Sequence, residues 1–356
     1  MFLKKYFLLF TIVCCIYPVL ANQLITITPI KETPQVPING NADDPAIWMS
    51  KLNPNLSLIF GTDKYNGIYT YNLAGETIGF SKAGKINNID LRTIKNTKNN
   101  NNTTYIFGSN SGNNNINLWI QDNKNLNKES LNGNFSLPIT PDHSEQTNML
   151  AYGICAGFDD QFGIIAFVTE AKGSRVQMWQ YKDNKLAILK VFNNQNASES
   201  EGCVYDDQNR TLFVSEENKR GVLRAYKISQ ELNFSNPIII DDRNGHIVGD
   251  PEGLALYKTS EISGYLIASS QGNSTFNVYN RELPYAFVTS FKIVSNKLID
   301  GVSDTDGIDI SNNYFNEDFP KGLIVVQDGN NSGIEKINKE NFKFISLKDL
   351  AEELNL

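Results

Sequence analysis

Acidic and other oxygen-bearing side chains stand at the start of six short apolar segments of this 356-residue chain. The segments begin at Asp44, Asn88, Tyr152, Glu201, Glu252 and Asp306. A single carboxylate of this kind is expected to be a solvated turn residue, but equivalent positions converge if the segments surround one axis. Carboxylates that converge repel one another unless cations neutralise them, and calcium prefers such oxygen ligands. The pattern therefore indicates a calcium centre, which can act as a Lewis acid and activate water.

The elements around these positions repeat six times along the chain. Each segment is followed by a second apolar strand that ends in small and polar residues, and five copies continue with an alternating third strand. A fourth, less regular strand follows in most copies. Four strands per unit, at spacings of roughly 45 to 65 residues, are typical of a propeller blade. We therefore predict an all-β fold, a six-bladed β-propeller whose four-stranded antiparallel blades surround a central channel lined by the first strands. Asp44, Asp90, Glu201, Glu252 and Asp306 would then converge.

The remaining segments fit around this ring. We expect residues 24–30 to pair with the last blade, residues 323–346, and to close the ring. One helix is expected, at residues 347–354, and the asparagine-rich residues 96–104 should form a mobile surface loop.

At the amino terminus, Lys4 and Lys5 precede a short apolar stretch ending in Ala21, a pattern typical of a secretory signal peptide rather than a membrane anchor. We thus expect a signal peptide at residues 1–21, a single propeller domain at 22–356, and a secreted protein.

Composition excludes several classes of partner. The formal net charge is −7, without an arginine-rich stripe, so we expect neither a nucleic acid nor, for the mature chain, a membrane as partner, and we expect a monomer. His143 and His246 lie outside any histidine phosphatase motif, which argues against a histidine nucleophile. Cys155 and Cys203 fall in the first strands of adjacent blades, where a disulfide and two buried thiols both remain open.

Seven segments together resemble the β-propeller phytases, which are calcium-dependent 3-phytases, over nearly the whole mature chain. They cover residues 42–48, 85–92, 200–202 with 215–217, 250–254, 266–274, 303–309 and 326–329. Each is weak evidence alone, whereas seven in the same order and in matching blades are specific. The resemblance implies hydrolysis of phytate, myo-inositol hexakisphosphate, by a calcium-bridged water that releases inorganic phosphate. One phosphate would be held for cleavage and a neighbouring one for affinity.

The resemblance also implies roles for individual residues. Catalytic roles fall to Glu201, Asp250, Glu252 and Asp306. Phosphate binding falls to Lys64, Tyr152 and Lys172. Ligands of several calcium ions are expected at Asp43, Asp44, Glu201, Glu217, Asp250, Glu252, Gln271, Asp300, Asp306, Asp328 and Asn331. Within that set, structural calcium is assigned to Asp44, Asp300, Asp328 and Asn331.

Two positions depart from the family pattern. Where the family has an arginine after the second strand of the second blade, this chain has Ser111, so a bidentate phosphate clamp is missing there. Asn330 stands where the family has a glutamate, and one calcium site thereby loses a charge. A further family glutamate has no clear counterpart before Asp43, and Glu32 is a guess for it.

Two other functions are compatible with the same fold. A calcium-dependent lactonase or esterase would use an axial calcium without needing Lys64 and Lys172 at the channel mouth. A non-catalytic, calcium-stabilised binding propeller would keep structural calcium without a cluster that includes Glu201 and Glu252. Because fold alone does not decide function, the site residues must separate these alternatives.

Overall fold

The computed structural model describes residues 24–37, 39–95, 101–217, 220–331 and 340–356, which form six sheets arranged as blades in a ring. The predicted six-bladed β-propeller is confirmed. The predicted signal peptide, residues 1–21, lies outside the described residues. Among the described residues, no helix is long and apolar enough to cross a membrane.

The first three blades follow one another along the chain after two short strands, β1 (Ile25–Ile27) and β2 (Lys31–Glu32). Blade 1 contains β3 (Ala42–Trp48), β4 (Leu58–Asp63), β5 (Gly67–Tyr71) and β6 (Thr77–Ser81). Blade 2 contains β7 (Ile86–Lys95), β8 (Asn102–Asn110), β9 (Asn115–Asp122) and β10 (His143–Gln146). Blade 3 contains β11 (Ala151–Asp159), β12 (Gly163–Glu170), β13 (Arg175–Lys182) and β14 (Lys185–Asn193).

The last three blades complete the ring. Blade 4 contains β15 (Ser200–Asp206), β16 (Thr211–Glu216), β17 (Leu223–Lys227) and β18 (Ile238–Asp241). Blade 5 contains β19 (Leu254–Lys258), β20 (Gly264–Ser270), β21 (Thr275–Asn280) and β22 (Phe287–Ile293). Blade 6 contains β23 (Ile308–Ser311), β24 (Leu323–Asp328) and β25 (Asn341–Ser346). The first strands of neighbouring blades contact one another around the ring, and β23 closes it against β3.

Ring closure divides the amino-terminal segment between two blades. Strand β1 pairs in parallel with β22 of blade 5, with Ile25 opposite Phe291. Strand β2 pairs antiparallel with β25 and becomes the fourth strand of blade 6, with Lys31 opposite Phe344. The prediction that residues 24–30 pair with the last blade is therefore wrong for β1, because the chain first passes along the outer edge of blade 5.

The described part of the chain has two α-helices outside the blades: α1 (Asn123–Leu131) and α2 (Leu347–Glu353). Helix α2 was expected, but α1 shows that the prediction of a single helix is wrong. The sequence of α1 is almost wholly polar, and Leu126 is the hydrophobic side chain that it buries. Residues 102–104 belong to β8, so the predicted loop 96–104 is shorter than expected; residues 96–100 lie outside the described residues. Two short 3₁₀ turns occur at Pro54–Leu56 and Gln271–Asn273.

The hydrophobic core consists of apolar layers between neighbouring blades. Between blades 1 and 2, for example, Trp48 packs with Ile106 and Trp119. A disulfide joins Cys155 of β11 to Cys203 of β15, which settles the alternative left open by the sequence. Because the apolar side chains lie between blades, the first strands can present polar groups to the channel.

Candidate active site

Irregular first strands bring the site residues to one mouth of the channel. In blades 1 to 4 the register between first and second strands shifts near the start of the first strand. The residues inside these shifts include Asp43, Asn87, Tyr152 and Glu201. A bulge of this kind redirects a side chain that regular alternation would point elsewhere. In blades 5 and 6, the equivalent Glu252 and Asp306 precede β19 and β23.

Hydroxyl groups of one blade hold the main chain of the next at these positions. Thr169 Oγ1 donates to the Glu201 carbonyl at 3.0 Å, and Ser215 Oγ donates to the Glu252 carbonyl at 3.3 Å. The approach is close enough that a Cβ on Gly202 would lie 1.7 Å from the Glu252 carbonyl oxygen. The sequence pattern of an acidic residue followed by glycine therefore sets the distance between neighbouring site residues.

Five carboxyl groups form an acidic cluster at this mouth, and Lys64 lies among them. The acidic cluster comprises Asp43, Glu201, Glu217, Glu252 and Asp306. Lys64 Nζ lies 2.9 Å from Asp43 Oδ1, 3.8 Å from Glu201 Oε1 and 4.0 Å from Asp306 Oδ2. Carboxylate oxygens of Glu201, Glu217 and Glu252 all lie within 4.8 Å of one another. Gln271 Nε2 donates to Asp306 Oδ1 at 2.8 Å.

Burial dominates the electrostatics of the acidic cluster. It raises the pKa of Glu201 and of Glu252 well above the usual range, and neighbouring carboxylates add to the effect. Burial alone would lower the pKa of Lys64, but Asp43, Glu201 and Asp306 raise it overall, so the ammonium stays charged. Burial raises the pKa of Tyr152, and the carboxylates of Glu201, Glu217 and Asp43 add to the rise; Tyr152 hydrogen-bonds Glu217 and stays a phenol.

The acidic cluster fits a divalent cation. Asp43 Oδ2, Glu201 Oε2 and Glu217 Oε1 are buried without a hydrogen-bond partner among the described residues. Buried polar oxygens without a partner destabilise a fold, and a bound cation would remove that cost. Calcium binds oxygens at about 2.3–2.6 Å, so two ligands on opposite sides of one ion lie about 4.8 Å apart. The oxygens of the three glutamates lie no farther apart than this, so one ion could reach all three.

Two predicted site residues lie apart from these contacts. Lys172 occupies the exposed turn between β12 and β13 with φ of 55°, and among the described residues it forms no ion pair with the acidic cluster. The Asp250 carboxylate pairs with Arg243, while the Asp250 carbonyl accepts from the Gln271 backbone N–H at 3.0 Å. Asp250 is thus next to the acidic cluster through Gln271.

The expected ring of first-strand carboxylates is divided into two levels. Asp90 accepts from Ala156 N at 2.8 Å and pairs with Arg92, deeper in a channel cavity of about 260 Å³. Asp44 also lines this cavity and accepts from Ile89 N at 3.0 Å. Glu252 lines the same cavity, so these first-strand carboxylates share one channel, although the bulge in β7 places Asn87, three residues before Asp90, at the mouth. There Asn87 Nδ2 donates to Glu201 Oε1 at 3.4 Å.

The predicted structural calcium ligands of blade 6 surround a lysine. Lys343 is fully buried, and its ammonium contacts the carboxylates of Glu32 and Asp300, Asp328 Oδ2 at 3.4 Å and Asn331 Oδ1 at 3.2 Å. A calcium ion at the same oxygens would have to displace this ammonium. The residues therefore fit calcium poorly in this arrangement, and structural calcium here stays a prediction.

Sequence reasoning missed three residues around the mouth. Asn87 lies in residues 85–92, one of the segments that resemble the phytases. The sequence did not show that a bulge would turn its side chain toward the mouth. Glu340 accepts two hydrogen bonds from Asn41 Nδ2, at 3.1 and 3.0 Å, and burial, with a contribution from Asp306, raises its pKa to about 7. Arg243 carried no signal, because the segment around it reads as an ordinary polar turn.

Fold and site together define a class of protein: a six-bladed β-propeller with a carboxylate-rich, metal-type centre at one mouth of its channel. The model of the family described as Phytase matches residues 7–356. The 3-phytase of Bacillus subtilis (strain 168) is 30% identical over 327 residues, covering 88% of this chain and 81% of that protein. The chain belongs to the phytase family.

Solved structures support the fold. A luciferin-regenerating enzyme matches with a TM-score of 0.54 and 13% identity, covering 90% of this chain and 96% of that one. An auxiliary nutrient binding protein from Bacteroides thetaiotaomicron VPI-5482 matches with a TM-score of 0.53 and 11% identity, covering 90% and 76%. At such low identity these matches concern the fold alone.

Proposed function

We propose that this protein is a secreted, calcium-dependent 3-phytase that releases inorganic phosphate from phytate. The observation that carries the proposal is the acidic cluster with Lys64 and Tyr152 at the channel mouth, in a chain of the phytase family. The relative named 3-phytase supports the substrate. The amino-terminal sequence pattern supports export, with a leader at residues 1–21 and one propeller domain at 22–356.

The acidic cluster, together with Gln271, would hold calcium. When bound, calcium would supply positive charge to the phosphoryl oxygens and lower the pKa of a water molecule. Hydrolysis of phosphate monoesters is among the slowest uncatalysed reactions, so a site of this kind must offset charge and provide a nucleophile. The carboxylates of Glu201 and Glu252 would be oriented for this because hydroxyl groups of the preceding blades hold their carbonyl groups.

Lys64 and Tyr152 would bind the phosphate that is cleaved. The Lys64 side chain is 20% exposed, so its ammonium can reach a ligand at the mouth while Asp43 holds it in place. Tyr152 stays protonated, and its single O–H would turn from Glu217 to a phosphate oxygen when the substrate binds. A neutral lactone or ester would not need this second positive charge, which favours the phosphomonoesterase over the lactonase alternative.

Activity with and without calcium tests the proposal. We expect phytate hydrolysis to stop in excess chelator and to return when calcium is restored. Glu201→Gln should weaken calcium binding, measured by calorimetry, and reduce phosphate release at least 100-fold, since it removes a charged ligand. The matched control is Glu145→Gln, an exposed acid of β10. Full activity in chelator, or no phosphate release by the calcium-loaded protein, would contradict the proposal.

A further inference from the structure

Arg243 lies at the rim of the mouth, in the connection between blades 4 and 5. Its Nε donates to the Gly249 carbonyl at 2.8 Å, and its Nη2 donates to the Glu217 carbonyl at 3.1 Å and to the Asp250 carboxylate. The side chain is 32% exposed. Arg243 therefore touches two residues of the candidate active site and keeps an open side toward solvent.

The main chain around Arg243 is shaped to hold its guanidinium. The Arg243 N–H donates to the Arg220 carbonyl at 3.1 Å. Gly221 has φ of 53°, and a Cβ there would lie 2.8 Å from Arg243 Nε. Any other residue at 221 would thus collide with the side chain. These contacts hold the Arg243 side chain in a defined position beside Glu217.

The geometry leaves part of the guanidinium for a ligand. The hydrogen bonds among the described residues occupy Nε and Nη2, so the two protons of Nη1 can serve an acceptor at the mouth. The planar guanidinium fork is always charged, and with Nε and Nη2 engaged its Nη1 can still donate to one phosphate. Asp250 orients that fork by pairing with it.

Blade 2 lacks such a donor. Ser111, where the phytases have arginine, is exposed in the turn after β8, and its hydroxyl donates to the Lys85 carbonyl at 3.1 Å. A neutral hydroxyl bonded to its own chain cannot replace a guanidinium. Exposed Lys85 lies beside Ser111, so this side keeps an ammonium, but a guanidinium contact to a polyanion would have to come from another blade.

We propose that Arg243 binds the second phosphate of the substrate, the one held for affinity, from the side of blades 4 and 5. The proposal rests on the proposed function in naming phytate. Arg243 would then determine substrate preference, although it lies across the mouth from Ser111, where the arginine of the phytases is missing. Arg243 would then favour substrates with two neighbouring phosphates over simple monoesters.

Kinetics with two substrates and one binding measurement test this role. Arg243→Gln should raise the KM for phytate about 10-fold or more, as expected for a lost charge-assisted hydrogen bond, and raise the KM for p-nitrophenyl phosphate much less. Binding of myo-inositol hexasulfate, a non-hydrolysable polyanion, should weaken by a similar factor in calorimetry. The matched control is Arg220→Gln, which removes the same charge from an exposed arginine nearby and should change neither value.

Two further variants keep the test decisive. Gly221→Ala should displace the guanidinium and reproduce the selective loss, and Arg243→Lys, which keeps the charge but not the fork, should show part of it. Equal KM changes for both substrates, or unchanged hexasulfate binding, would overturn the proposal and make Arg243 a positioning residue for Asp250. If the wild-type protein released no phosphate from either substrate, the proposed function would fail, while hexasulfate binding would still decide whether Arg243 binds polyanions.

Discussion

At the scale of single residues, the channel below the mouth also holds a buried carboxyl group, that of Asp309. Asp309 accepts hydrogen bonds from Ile47 N and Ile310 N, both at 2.7 Å. Burial raises its pKa to about 7; Asp90 adds to the rise, and Arg92 opposes it. Its buried surroundings therefore favour the neutral, protonated form of Asp309.

Asp309 should make stability depend on pH. Its folded pKa of about 7 exceeds the usual value of about 3.9, so its stabilising contribution is complete below about pH 4 and is lost as the pH rises to 7. Asp309→Asn cannot ionise, so the melting temperature of the variant minus that of the wild type should increase between pH 4 and 7 and then level off. Asp160→Asn, at an exposed position, is the control. A difference that stays constant with pH would contradict the assignment.

Sequence reasoning succeeded for residues inside repeated motifs and failed for their partners. Glu201, Glu252 and Asp306 were predicted together because each opens a repeat, and the structure brings them together. Lys343 was missed because it acquires Glu32 and Asp300 from segments distant in sequence. Arg243 was missed because its contact with Glu217 joins two polar turns that carry no motif. Spacing along one chain holds no information about such pairings until the blades are placed in a ring.

At the scale of elements, the first strands of blades 3 and 4 combine a bulge with a glycine. Alternation of apolar and polar residues predicted the strands, but a bulge interrupts alternation and leaves no periodic signal. Gly153 shows the same close approach as Gly202, since a Cβ there would lie 1.8 Å from the Glu201 carbonyl oxygen. Close contact between first strands is thus a repeated device that positions the acidic cluster.

Gly202→Ala should separate blades 4 and 5 at the mouth. The added methyl group would overlap the Glu252 carbonyl, and the main chain would have to move because Ser215 and Ser269 hold it on both sides. We expect a destabilisation of about 1–3 kcal/mol and a larger loss of calcium affinity. Gly133→Ala, where a Cβ meets nothing within 4 Å but φ is 66°, is the control for backbone strain without steric overlap and should leave calcium affinity unchanged. Denaturant unfolding and calcium titration measure both effects, and unchanged calcium affinity would show that this contact does not set the geometry of the site.

At the scale of the whole molecule, Lys343 lies at the seam where the ring closes. Glu32 belongs to β2, Lys343 to β25, and Asp300 to the connection that leads from blade 5 into blade 6. One ammonium therefore ties together segments from both ends of the chain. The repeat pattern predicted six blades and a closing strand, but the ends of a ring have no repeat to follow, so their pairing could not be predicted in detail.

In the presence of chelator, Lys343→Met should lower the melting temperature, because it removes the contacts that Lys343 makes at the seam. Removing one partner of a buried ion pair costs up to about 3–5 kcal/mol, and less here because Glu32 and Asp300 are partly exposed. Without the ammonium, the oxygens of Glu32, Asp300, Asp328 and Asn331 become available to a metal ion, so calcium should restore part of the lost melting temperature. Lys348→Met, at an exposed lysine of α2, is the control. The interpretation fails if the variant melts like the wild type in chelator.

The division of β1 and β2 between blades 5 and 6 has a consequence for biosynthesis. These strands are among the first to leave the ribosome, yet their partners, β22 and β25, are separated from them by most of the chain. Pairing between such distant segments is slow, and unpaired strand edges are prone to aggregate while they wait. Blades 1 to 4 contain all their own strands and can form during translation. The seam closes last, so a nascent chain exposes the edges of β22 and β25 until its two ends meet.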